Sequence, residues 1–215
     1  MISAIGLGLR AQKGGAAVVA MGVRAGAPKL ILSTLLPTHR EGDRLSLEPY
    51  RVAYETAQAP HPGAVADPAT AVAEGRRRQD MLAEAGLRNI LHALERAEGT
   101  LVRAGLLVNR AGWVTDLLDY SLSWPEHVPV AEALAVREAL RSGLSRCGIG
   151  TVELDEKSLA DRAAQALALS PVEIDAQLKA FGATAGKPWR KEQKLACLAA
   201  WLLAVDAPIT GSSAS

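Results

Sequence analysis

The densest chemistry in the chain lies near its C-terminus, where Lys187, Trp189, Arg190, Lys191 and Lys194 fall within eight positions. They open a helical pattern, and the free backbone N–H groups and positive dipole end of a helix start already favour an anion. Four cations and one indole suit a polyanion: the cations would meet phosphates, and the indole could stack on a base. Residues three and four apart are neighbours on a helix, so Arg190, Lys191 and Lys194 share one patch. The competing reading is that nearby acids neutralise the patch and that Trp189 covers the helix entrance. A second basic run, Arg76-Arg77-Arg78, is balanced by Glu74, Asp80 and Glu84 and reads as a solvated helix face.

Other motifs fail on context. Gly6-Leu7-Gly8-Leu9-Arg10-Ala11 has the form GxGxxA, which binds a dinucleotide only where it turns a strand into a helix. Here a Gly-Gly turn and a second strand follow. The segment Gly182 to Lys187 is one residue short of a phosphate-binding loop, and Pro188 stands where Ser or Thr is required. His39, His61, His92 and His127 form no HxxxH or HExxH pair, and Cys147 and Cys197 have no metal-ligand spacing. No GxSxG elbow is present.

The elements that would position these residues follow from the apolar pattern. With 49% apolar and 22% charged residues, the chain has the composition of one globular domain, over about 1–206, with a polar tail at 207–215. Aromatic residues are only 4%, so the core is aliphatic. Strands are expected at Ile2–Leu9, Ala16–Val23 and Lys29–Leu36, joined by short Gly-containing turns into an antiparallel meander. Residues 37–68, with five prolines and little periodicity, read as one long loop. A helix from about Thr70 to Glu98 carries the stripe Leu87, Ile90, Leu91 and Leu94, and Gly99 ends it. Leu101–Val108 is a fourth strand, apolar on both faces and therefore central. A helix at about Val130–Arg146, a short strand at Thr151–Leu154 and three further helices complete the chain. The last of these, from about Trp189 to Ala204, turns Leu195, Leu198, Ala199 and Leu202 to the core, which sends its cations outward.

A net charge of +1 and a pI near 7.8 supply no global field toward nucleic acid or an anionic membrane. The first ten residues lack the marks of a secretory signal, the longest apolar run is too short to span a bilayer, and the two cysteines form no disulfide framework. A cytoplasmic protein is expected. Nucleic acid and a second copy of the chain stay open as partners, and a membrane does not.

The element order, three antiparallel strands, helix, strand, helix, strand, helices, resembles the ribonuclease H-like fold, in which strand four adds parallel to strand one. Residues Ala4 to Arg10 followed by Ala16 to Ala20 are similar to the first hairpin of RuvC-type resolvases. Glu192 to Ala200 resembles their last helix, where an acidic residue precedes an alanine-rich stripe. Glu132 to Arg137, Pro188-Trp189 and Lys194 are similar to traits of a group of uncharacterised bacterial proteins of this size. The resemblance implies a mixed five-stranded sheet in the order 3-2-1-4-5 with helices on both faces. It also implies two divalent cations held by carboxylates from strand one, strand four and the last helix. Gly8 stands near the strand-one position, strand four ends in Asn109-Arg110, and only Glu192 matches. The expectation is therefore a non-catalytic module for binding or assembly, with no cofactor. The alternative is a nuclease with displaced carboxylates, Glu132, Asp155 and Glu192, using Mg²⁺ or Mn²⁺. An actin-like nucleotide-binding protein fits less well, because such folds need two related domains.

Overall fold

The computed structural model describes residues 5–58, 67–97, 101–109 and 114–206. Strand β1 (Ile5–Gln12) alternates strictly. Ile5, Leu7 and Leu9 enter one apolar cluster, while Gly6 and Gly8 face the opposite side. Strand β2 (Gly15–Arg24) divides likewise, with Val18 and Ala20 on the first face and Val19 and Met21 on the second. This period of two is what pleated strands buried on both faces impose. The turn between them is only Lys13 and Gly14, because Gln12 pairs with Gly15. Strand β3 (Ala27–Pro37) follows through Ala25 and Gly26, both at positive φ, a two-residue turn whose twist matches its strands.

Strand β4 (Leu101–Val108) lies parallel to β1, as the resemblance implied, and β5 (Thr151–Asp155) lies parallel to β4. The sheet order is β3-β2-β1-β4-β5. Helices α3 (Pro68–Ala97) and α5 (Val128–Arg146) pack on each other and on the face of Leu7, Leu9 and Leu106. The other face is covered by α8 (Lys191–Val205), flanked by α6 (Leu159–Leu167) and α7 (Pro171–Ala185). Ser170 and Glu173 form a capping box at the start of α7, with each side chain bonded to the other's backbone N–H.

One expectation is corrected. Residues 37–68 are not one loop, because they hold α1 (Arg44–Leu47) and α2 (Pro49–Gln58). Pro49 supplies the fixed φ of a first helical turn, and Tyr50 and Ala53 are buried against Val72, Val128 and Ala131 in a third apolar cluster. Gln79, fully buried on α3, donates to the Ser46 carbonyl at 2.9 Å and ties α1 down. The stretch before α5 likewise contains a helix, α4 (Leu117–Ser123), capped by Asp116. The expected helix end at Glu98 and Gly99, together with His61, Arg110, Trp113 and the 207–215 tail, lies outside the described residues.

Candidate functional site

The C-terminal ends of β1, β4 and β5 meet the start of α8, and there the resemblance locates its metal site. Gly8 is pressed directly onto that helix. A Cβ built on Gly8 would stand 1.9 Å from the Ala196 carbonyl oxygen, and one on Gly6 would stand 2.2 Å from that of Ala200. The spacing explains the match: two strand residues advance about 6.6 Å and four helix residues about 6 Å, so the glycines and alanines pair along both elements. The GxGxxA pattern is thus a helix seat, consistent with its rejection as a dinucleotide fingerprint.

Two residues further along the same face, Arg10 turns its guanidinium into the space between two acids. Its Nε donates to Glu156 Oε1 at 2.9 Å, and its Nη1 lies 3.5 Å from Glu192 Oε1. All three side chains are about one-quarter exposed or less, so this is a partly desolvated ion pair with two carboxylates on one cation. The Glu192 expected as a catalytic acid is thereby held by Arg10. Glu156, which the sequence reading passed over, is the other acid at this strand end.

The remaining two carboxylates of the nuclease alternative sit elsewhere. Glu132 is buried on α5 and points at the N-terminus of α2, where Oε1 accepts the Arg51 N–H at 2.9 Å. Burial, only partly offset by the bonds from the Arg51 and Tyr50 backbone, pushes its carboxyl up to about 7. Asp155, at the end of β5, accepts the Lys157 N–H at 3.1 Å. The structure does not gather Glu132, Asp155 and Glu192. Among the described residues no three His, Cys, Asp or Glu side chains lie close enough to hold a metal ion. The Cys197 thiol, buried beside Met21, is pushed up to about 12 by desolvation and offers no thiolate.

The basic set at the start of α8 is real but unequal. Arg190 caps the helix, its N–H donating to Gln193 Oε1 at 2.9 Å, and Arg190 and Lys191 are exposed. Lys187 is exposed too, just before Pro188. Lys194 is half-buried and lies 3.8 Å from Asp175 on α7, so an acid does neutralise that member. Trp189 does cover the helix entrance, because its Nε1 donates to the Leu178 carbonyl at 3.0 Å and its ring fills the space above Gly182. Between α7 and α8 a cleft of about 450 Å³ has Leu178, Leu195 and Leu198 on its floor and Arg190, Lys191 and Lys194 on its rim.

A larger cavity, about 740 Å³, opens beside the ends of β4 and β5 on the α5 face. Arg76, Arg137 and Arg141 line it together with Asn109 and Asp155. Its arginines come from two helices distant in sequence, and no local motif announces it.

No protein family matches the chain, and no curated protein matches it in sequence. Among solved structures it is similar to Thermus thermophilus RuvC, at 10% identity over 94% of this chain and 93% of that one, with a TM-score of 0.50. The T. thermophilus RuvC in complex with Holliday junction substrate matches over the same shares at 10% identity, with a TM-score of 0.51. The two divalent cations implied by such a fold do not fit the residues present. Gly8 has no room for a side chain, Asn109 follows strand four where an acid would be needed, and Arg10 fills the space before Glu192 with positive charge. Among the described residues no helix is long and apolar enough to cross a membrane. The strand order, the parallel β1–β4 pair and the likeness to both structures establish a RuvC-like, ribonuclease H-like fold for this chain.

Proposed function

We propose that this protein is a non-catalytic ribonuclease H-like module that works by binding or assembly in the cytoplasm. One observation carries the reading: the Arg10 guanidinium lies between Glu156 and Glu192 at the strand ends, where a metal-dependent nuclease needs carboxylates free to ligate. A divalent cation there would have to displace a guanidinium already paired with both acids, against its charge. Gly8 supports the same conclusion, since no carboxylate can be carried at that position without lifting α8.

Nucleic acid is the partner to test first. A RuvC of similar fold has been seen with a Holliday junction substrate, and Lys187, Arg190 and Lys191 present exposed cations that make no salt bridge among the described residues. The protein is incubated with branched and single-stranded DNA and RNA in Mg²⁺ or Mn²⁺, and both retention and cleavage are followed. Retention without cleavage is the expected result. Cleavage that disappears in Glu192→Gln would overturn the proposal in favour of a nuclease.

A further inference from the structure

We infer that the 740 Å³ cavity beside β4 and β5 is a binding site for a nucleoside monophosphate, free or as the end of a strand, with its phosphate on Arg137. The argument starts from how differently the three arginines in its wall are satisfied. Arg141 is saturated, donating to Glu138 at 2.6 Å and also to Glu153. Arg76 lies beside the Tyr50 hydroxyl and reaches Glu138 only at 4.0 Å. Among the described residues Arg137 makes no salt bridge, although Glu153, Glu156 and Glu138 act on it at longer range. Its Nη2 donates to the neutral Asn109 Oδ1 at 2.6 Å, and its Nε is buried without a hydrogen-bond partner among the described residues.

A half-buried guanidinium with an orphaned N–H is costly, because a buried charged donor loses water without replacement. Burial first, and then the neighbouring Arg141, act against its charge, and Glu153, Glu156 and Glu138 offset them only in part. The direct anionic partner that Nε lacks is what a ligand in the cavity would supply, through the fork geometry with which arginine meets phosphate.

The rest of the wall narrows the ligand class. Asp116, Glu138, Glu153 and Asp155 also line the cavity, so a bare polyanion would meet repulsion. A ligand with one phosphate and several hydroxyl or amino donors meets both signs, giving donors to Asp155 and acceptors to Arg137. Val72, Leu117 and Leu134 provide an apolar surface for a flat ring. The volume lies within the range of small-molecule and cofactor sites. This inference does not rest on the absence of catalysis, since the cavity opens on the α5 face and the Arg10 ion pair on the α8 face.

The test is calorimetric titration of the whole chain with AMP, adenosine and inorganic phosphate, and with a short DNA strand carrying a 5′-phosphate or a 5′-hydroxyl. AMP is expected to bind and adenosine not to. A strand that binds only when phosphorylated, with AMP inactive, would support the same chemistry and identify a strand end as its source. Arg137→Met is expected to weaken binding by about tenfold or more, while leaving the melting temperature of the free protein unchanged or raised. That rise separates a binding arginine from a structural one, whose loss would lower it. Equal binding of AMP and adenosine, no binding of any probe, or unchanged binding by Arg137→Met would overturn the inference.

Discussion

Gly8 and Arg10 stand two positions apart on one face of β1 and meet α8 by different means. Gly8 works by contact. The backbone of α8 lies where its Cβ would be, so Gly8→Ala must shift the helix or the strand. Overpacking of this kind costs roughly 1–3 kcal/mol, and the clash here is with backbone, which yields less than a side chain end. Gly8→Ala is expected to lower the thermal midpoint clearly, whereas Gly26→Ala, in a turn with open space around it, should show only the strain of its positive φ. Arg10 works by charge. Replacing it with Met leaves Glu156 and Glu192 facing one another without a cation, at an expected cost of about 1 kcal/mol for so partly exposed a group. Glu192→Gln in that background should recover part of the loss, because it removes one of two repelling charges. Urea midpoints of the four proteins in this cycle measure the coupling directly, and strict additivity would show that Arg10 holds nothing together.

Helix α2 shows where reading the sequence succeeds and where it stops. The strands β1, β2 and β4 and the long stripes of α3 and α8 declare themselves, because burial on a regular element repeats at its own period. Tyr50 and Ala53 are too few to set up a period, and the prolines on either side of them suggest irregular chain, so α2 is hidden although Pro49 opens it. The site divides in the same way. Glu192 and the cations of α8 are visible locally. The Glu156 partner of Arg10 lies 146 positions away, and Arg137 is exceptional only for what it lacks. Glu132 belongs to this second kind. Its buried carboxyl closes the N-terminus of α2, and its Oε2 has no partner. The folded-state pKa, about 7, lies above the ordinary 4.5, so the folded state binds the proton more tightly than the unfolded chain does. The stabilisation is therefore complete below about pH 4.5 and is lost as pH rises through about 7. Glu132 should accordingly remove roughly 2–3 kcal/mol of stability between pH 4.5 and 8. Glu132→Gln, which keeps an acceptor for the Arg51 N–H, should flatten that slope and be the more stable protein at pH 8. Urea unfolding across the series reads it, and parallel curves would dissociate Glu132 from the pH dependence.

With a formal charge of only +1, the chain can attract a polyanion only through local patches. If the patch at the start of α8 holds nucleic acid, binding should weaken with salt by about 0.9 in log affinity per neutralised phosphate for each log unit on duplex DNA. The Lys191→Glu, Lys194→Glu double variant should lower both the affinity and that slope. Lys194 already leans toward Asp175, so Lys191 should account for most of the change. Identical titrations of the two proteins would remove this surface from nucleic-acid binding. The Arg10 ion pair has a consequence for supply. A dissociable cation stabilises a fold only in proportion to how far its concentration exceeds its dissociation constant, so such a protein inherits every fluctuation of its surroundings. An arginine is present at the same strength in every molecule, cannot be chelated, and keeps its charge at any physiological pH. The strand ends of this protein are therefore held together independently of the metal content of the solution, and its melting temperature should be the same in EDTA as in millimolar Mg²⁺.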